Sequence, residues 1–122
     1  MSKILIIEDD PYVLKFYARL FALGKYEVEM AGSGKEGLEK ARASKPSLIL
    51  LDIMMPEMDG FVVLKELKAD PETKDSEVIM LTNLSDTESY KKAIELGANG
   101  YLIKVNNPPE KLIEEIEKHI HG

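Results

Sequence analysis

Asp52 sits where an apolar run, Leu48-Ile49-Leu50-Leu51, gives way to Ile53-Met54-Met55-Pro56-Glu57-Met58-Asp59-Gly60. A short apolar run bounded by turn-forming residues suits a strand at the centre of a parallel sheet. A carboxylate at the mouth of such a strand demands a partner, because an unpaired buried charge is costly. Near the N-terminus, Ile4-Leu5-Ile6-Ile7 runs in the same way into Glu8-Asp9-Asp10. Two apolar strands that both end in carboxylates point to one shared site for a metal ion or a phosphate group. Three carboxylates held that close repel by roughly 4 kcal/mol per pair at an effective dielectric of about 20, and a divalent cation removes that repulsion. Oxygen ligands without His or Cys favour Mg²⁺.

Two further strand ends complete the set. Val78-Ile79-Met80-Leu81 terminates in Thr82, and Tyr101-Leu102-Ile103 terminates in Lys104. With Mg²⁺ beside it, Asp52 is suited to attack phosphorus as a nucleophile and form an acyl phosphate. The metal and Lys104 would neutralise charge on the equatorial oxygens, and Thr82 would donate a hydrogen bond to one of them.

The elements that must position these residues alternate along the chain. Apolar runs predict strands over 3–7, 26–31, 47–51, 77–81 and 99–103, and amphipathic stretches predict helices over 11–22, 35–43, 61–69, 86–96 and 108–120. The first helix gathers Val13, Phe16, Tyr17 and Leu20 on one face. The second offers only Leu38 and Ala41, so it is expected to be short and the least firmly packed. The third is apolar through Phe61, Val62, Leu64 and Leu67, the fourth through Tyr90, Ala93 and Ile94, and the fifth through Leu112, Ile113, Ile116 and Ile120. Gly24, Gly97 and Gly100 mark helix ends and turns, and Asn107-Pro108-Pro109-Glu110 reads as a capping box. Strict alternation predicts an α/β fold, a (βα)5 doubly wound parallel sheet covered on both faces. Right-handed crossovers favour the flavodoxin-like order 2-1-3-4-5, with its switch point between strands one and three. Glu8, Asp9 and Asp52 would meet at that crevice.

Composition bounds the alternatives. At 122 residues, with 44% hydrophobic and 31% charged residues, the chain reads as one globular domain. The absence of Cys excludes disulfides and thiolate metal sites and makes a cytoplasmic setting the default. No apolar stretch is long enough to span a bilayer. A net charge of −6, with Lys and Arg scattered among acids, argues against nucleic-acid binding by this domain. Asp10-Pro11 is read as a helix cap ahead of metal ligation. Gly32-Ser33-Gly34-Lys35 is read as a turn, because it lacks the full spacing of a phosphate-binding loop. His119 and His121 are read as exposed residues at a fraying end.

In order and spacing, these residues resemble the receiver domain of two-component response regulators, in its single-domain, chemotaxis-regulator-like form. The resemblance covers essentially the whole chain, 1–122, and no output domain is recognised in it. It implies that Glu8 and Asp9 bind Mg²⁺ together with Asp52 and the backbone carbonyl of Met54. It implies that Asp52 is the phosphoacceptor, that Thr82 and Lys104 act on the phosphoryl group, and that Tyr101 is the switch aromatic. The turn after the acceptor, Pro56 followed by Asp59-Gly60, matches as well. Two positions depart from the family pattern: Val105 stands where Pro usually follows the Lys, and Asn83 stands where Ala or Gly usually follows the Thr. The expected partners are a sensor histidine kinase or phosphotransfer protein as donor and a downstream protein bound through the face containing Tyr101. The expected assembly is a monomer or a weak phosphorylation-dependent dimer. The expected activity is confined to the domain's own phosphorylation and dephosphorylation. The rival reading, a Mg²⁺-dependent phosphatase or phosphotransferase, needs a second acid two residues after Asp52, and Met54 stands there.

Overall fold

Strands β1 (Lys3–Ile7), β2 (Glu27–Ala31), β3 (Leu48–Leu51), β4 (Glu77–Thr82) and β5 (Gly100–Ile103) form one parallel sheet in the order β2-β1-β3-β4-β5. Helices α1 (Pro11–Leu23), α2 (Gly34–Ser44), α3 (Gly60–Ala69), α4 (Thr87–Glu95) and α5 (Pro109–His121) follow the strands in turn, and a 3-10 turn spans Lys104–Asn106. The computed structural model describes residues 2–24 and 26–121, with the backbone alone at His121. The alternation of strands and helices has produced the expected topology.

The period-2 geometry of a strand sends successive side chains to opposite faces, and the core divides accordingly. Leu5, Ile7, Ile49, Leu51, Val78 and Met80 face one way, against Leu38 and Ala41 of α2, Val63, Leu64 and Leu67 of α3, and Ala93 of α4. Ile4, Ile6, Leu48, Leu50, Ile79 and Leu81 face the other way, against Tyr17 and Phe21 of α1 and Leu112 and Ile116 of α5. Strands buried on both sides must be apolar throughout, which is why β1 and β3 carry no polar residue after Lys3.

Several helix details differ from the sequence expectation. Phe16 points outwards, half exposed, while Phe21 is the fully buried aromatic of α1. In α3, Val63 is buried and Val62 exposed. The α2 helix is neither short nor loosely packed: it spans 11 residues and buries Gly34, Gly37, Leu38 and Ala41. A Cβ at Gly37 would lie 2.8 Å from Ile7 Cγ1, so the glycine lets the helix backbone approach β1 closely. Small size does the packing that apolar mass does elsewhere. The N-cap of α2 is Ser33, whose hydroxyl accepts the Glu36 N–H, while Glu36 Oε1 accepts the Gly32 N–H, so Gly32–Lys35 is a helix entry.

Among the described residues, α5 shows no capping-box hydrogen bonds between Asn107 and Glu110. The Asn107 side chain donates to the Ile103 carbonyl at 2.8 Å, and Pro108 accepts the Leu112 N–H. His119 is not a free end residue either. Its Nδ1 lies 3.1 Å from Glu77 Oε2 at the start of β4. The His121 side chain lies outside the described residues.

Candidate functional site

Strand register brings the predicted site residues together. Ile7 pairs with Leu51 across β1 and β3, so the next residues, Glu8 and Asp52, leave the sheet side by side. Asp52 N–H still donates to the Ile7 carbonyl at 3.1 Å, and Glu8 N–H to the Ala31 carbonyl at 3.1 Å. The backbone of both acids is therefore fixed by the ladder. On the adjoining strands Thr82 pairs with Ile103, which sets Thr82 and Lys104 on the same rim.

Glu8 and Asp52 are buried, whereas Asp9 is exposed. Carboxylate oxygens of Glu8, Asp9 and Asp52 lie within 4.8 Å of one another. Lys104 Nζ reaches between two of them, donating to Glu8 Oε1 at 3.0 Å and to Asp52 Oδ2 at 3.3 Å. The other Asp52 oxygen, Oδ1, accepts the Ile53 N–H at 2.8 Å. Burial lowers the affinity of the Lys104 ammonium for its proton, but Asp52 and Glu8 outweigh it, and its pKa rises above the ordinary value. Glu8 shows the strongest perturbation. Burial, then its contacts with Asp52, push its pKa from 4.5 up to about 8 against the opposing pull of Lys104.

One atom in this cluster is left over. Glu8 Oε2 is buried and has no hydrogen-bond partner among the described residues, although buried carboxylate oxygens are nearly always satisfied. An all-oxygen cluster with an orphaned carboxylate oxygen fits a hard divalent cation. The Met54 carbonyl accepts no hydrogen bond among the described residues, which leaves it free for the same use. Asp10 does not join the cluster's donors. Its Oδ1 caps α1 by accepting the Tyr12 and Val13 N–H groups, as the Asp-Pro pattern predicts.

The loop after Asp52 is folded back by the Asp59-Gly60 pair. Asp59 Oδ1 accepts the Val62 N–H and caps α3, and Gly60 N–H donates to the Ile53 carbonyl at 2.8 Å. A Cβ at Gly60 would collide with the Asp52 carbonyl oxygen, so only glycine lets α3 start this close to the acceptor.

Thr82 is fully buried, and its Oγ1 accepts the Leu84 N–H at 3.3 Å. The Leu84 carbonyl in turn accepts the Tyr101 hydroxyl at 2.8 Å. Tyr101 packs edge-on against Tyr90 of α4, with centroids 5.5 Å apart. Sequence reasoning placed Thr82 and Tyr101 separately and missed that the main chain of Leu84 links them. Nothing in an apolar side chain signals that its main chain is used.

The two departures from the family pattern also prove to be neighbours. Every peptide bond among the described residues is trans, and Val105 N–H donates to Asn83 Oδ1 at 3.2 Å.

The response regulator receiver domain family matches residues 4–117. The chain belongs to that family. It is 37% identical over 112 residues to the DNA-binding dual master transcriptional regulator RpaA of Synechocystis, covering 92% of this chain and 46% of that protein. It is 36% identical over 109 residues to the probable transcriptional regulator ycf27 of Porphyridium aerugineum, covering 89% of this chain and 44% of that protein. The receiver domain thus spans about half the length of the curated relatives it matches. Among solved structures, the chemotaxis protein CheY4 of Vibrio cholerae superposes with a TM-score of 0.91 at 30% identity, over 97% of this chain and 98% of that one. The BeF3-activated N-terminal receiver domain of Klebsiella pneumoniae RstA superposes with a TM-score of 0.90 at 29% identity, over 99% of this chain and all of that one. No helix among the described residues is long and apolar enough to cross a membrane.

Proposed function

We propose that this receiver domain is a Mg²⁺-dependent phosphoacceptor switch whose acceptor is Asp52. The observation that carries the reading is the convergence of Glu8, Asp9 and Asp52 within 4.8 Å, with Lys104 bonded to the buried pair. The donor is a phosphorylated His of a sensor kinase or phosphotransfer protein. An Asp52 carboxylate oxygen forms the new P–O bond as the P–N bond breaks, and the leaving imidazole nitrogen keeps the bonding pair and takes up a proton. The domain's catalysis is confined to its own phosphorylation and dephosphorylation.

The residues divide the work. Glu8, Asp9, Asp52 and the Met54 carbonyl hold Mg²⁺, which supplies neutralising charge at the phosphoryl oxygens. Lys104 already contacts the acceptor carboxylate and can follow the negative charge from Asp52 onto the phosphoryl group without leaving the site. Thr82 carries a hydroxyl proton that its bond to Leu84 does not use. Moving Thr82 towards a phosphoryl oxygen pulls on Leu84, and Leu84 holds Tyr101. A change at Asp52 is thereby passed to the face formed by α4, β5 and α5, where a protein partner would read it. The domain works in the cytoplasm, as a monomer or a weak phosphorylation-dependent dimer, and the negative charge argues against nucleic-acid contact by this domain itself.

Intact-mass analysis with acetyl phosphate tests the reading. One phosphoryl mass should appear with Mg²⁺ and be prevented by EDTA. Asp52→Asn, nearly isosteric, should keep the fold and lose the adduct. Undiminished labelling of that variant would remove Asp52 from the role.

A further inference from the structure

Asn83 and Val105 come from different loops, and each stands where the family pattern has another residue type. The contact between them gives both a reason. Val105 follows Lys104 in the 3-10 turn, and its backbone N–H donates to Asn83 Oδ1 at 3.2 Å. A proline at 105 would have no N–H to give, and an alanine or glycine at 83 would have no side-chain acceptor. The bond needs both departures.

We propose that Asn83 is a positioning residue for Lys104, holding the Lys104 turn to the end of β4 so that Nζ stays between Glu8 and Asp52. The connections are short on both sides. Asn83 directly follows Thr82, whose position is fixed by the sheet and by full burial. Val105 directly follows Lys104, whose ammonium lies 3.0 Å from Glu8 and 3.3 Å from Asp52. The turn has one further tie among its own residues, Asn107 N–H to the Lys104 carbonyl at 3.2 Å, and the Asn107 side chain bonds Ile103. Both of these are local to the β5–α5 segment. Among the described residues, the Asn83 bond is the hydrogen bond that joins the Lys104 turn to the loop after β4, and a proline's rigidity is replaced by a side-chain clamp. Because Thr82 and Lys104 sit at the two ends of the clamp, both groups that would meet the phosphoryl oxygens are held in one frame.

The proposal rests on Asp52 being the phosphoacceptor, and its test separates the two claims. Labelling of Asp52 by acetyl phosphate and Mg²⁺ would be timed in the wild type, Asn83→Ala, Lys104→Ala and the double variant. Val105 amide hydrogen exchange would be followed by NMR in the wild type, Asn83→Ala and Asn83→Asp. Losing one hydrogen bond should slow labelling by roughly two- to tenfold in Asn83→Ala, and the same substitution should have no further effect once Lys104 is gone. Val105 exchange should accelerate in Asn83→Ala and not in Asn83→Asp, which keeps the acceptor oxygen. Equal or faster labelling in Asn83→Ala would overturn the clamp and leave the phosphoacceptor reading standing. So would equal slowing with and without Lys104, since that is the mark of a merely structural residue. If Lys104→Ala labels too slowly to time, the exchange data decide: unchanged Val105 exchange in Asn83→Ala overturns the proposal. A wild type that takes no phosphoryl group would overturn the phosphoacceptor reading and the positioning role with it.

Discussion

Glu8 is the residue whose energetics the sequence left least legible. Its identity as an acid at a strand end was plain, but its burial, its orphaned Oε2 and its raised pKa depend on how closely β1 and β3 bring it to Asp52. The site's membership, by contrast, could be read directly, because Glu8, Asp52 and Lys104 each follow a strand, Thr82 ends one, and parallel register must gather strand ends. Contacts such as Asn83 to Val105 could not be read, since they depend on loop paths that no periodicity encodes. A consequence for pH follows from Glu8. A carboxyl with a folded pKa near 8 and an unfolded value of 4.5 ionises first in the unfolded chain. Metal-free protein should therefore lose stability as pH rises from about 4.5 to about 8, on the order of 2–4 kcal/mol. Thermal melts in EDTA at pH 5.5 and pH 8 would measure this, and Glu8→Gln should flatten the difference. Mg²⁺ should reduce it as well, because a bound cation favours the carboxylate form. A pH-independent melt in EDTA would show that Lys104 fully compensates the charge.

Among the elements, α2 shows how composition can mislead. With only Leu38 and Ala41 as apolar residues on the helix face, it looked weakly attached, yet glycine at 37 lets Ile7 of β1 fill the space a side chain would occupy. Pattern reasoning counts apolar mass and is blind to close approach. In α1 and α3 most of the expected inner residues do pack inwards, Val13, Tyr17 and Leu20 in the first and Phe61, Leu64 and Leu67 in the second, but Phe16 and Val62 are exposed while Phe21 and Val63 are buried. Neighbouring residues on a helix point about 100° apart, so one residue at the edge of an apolar stripe can face solvent while the next is buried. Phase did not matter in β1, β3 and β4, because both faces of these strands are buried. If α2 is packed as tightly as its glycine contact implies, Gly37→Leu should destabilise the domain by about 1–3 kcal/mol, despite the gain of about 1 kcal/mol in helix propensity. Urea unfolding midpoints would report it. A neutral result would mean that α2 can move off the sheet at no cost.

At the scale of the whole molecule, the site and the proposed output face are joined by a short chain of bonds rather than by proximity. Thr82 Oγ1 holds Leu84 N–H, the Leu84 carbonyl holds the Tyr101 hydroxyl, and Tyr101 meets Tyr90, which is half exposed on α4 beside the similarly exposed Ile94. The middle link is main chain, so side-chain substitution at Leu84 leaves it in place, whereas removing the Tyr101 hydroxyl cuts it. Tyr101→Phe keeps the ring and its edge contact with Tyr90 and deletes only the bond to Leu84. That variant should take up phosphoryl on Asp52 at close to the wild-type rate, because the hydroxyl bonds Leu84 and not the acceptor. It should, however, weaken the response of the distant face. NMR chemical shifts of the Tyr90 and Ile94 amides, followed with and without phosphorylation, would read that response. In the wild type they should move on phosphorylation, and in Tyr101→Phe the movement should shrink, in proportion to the share of coupling carried by a hydrogen bond worth about 0.5–1.5 kcal/mol. Equal shifts in both proteins would mean that the signal reaches α4 through packing of the ring, with the hydroxyl serving only to satisfy the Leu84 carbonyl.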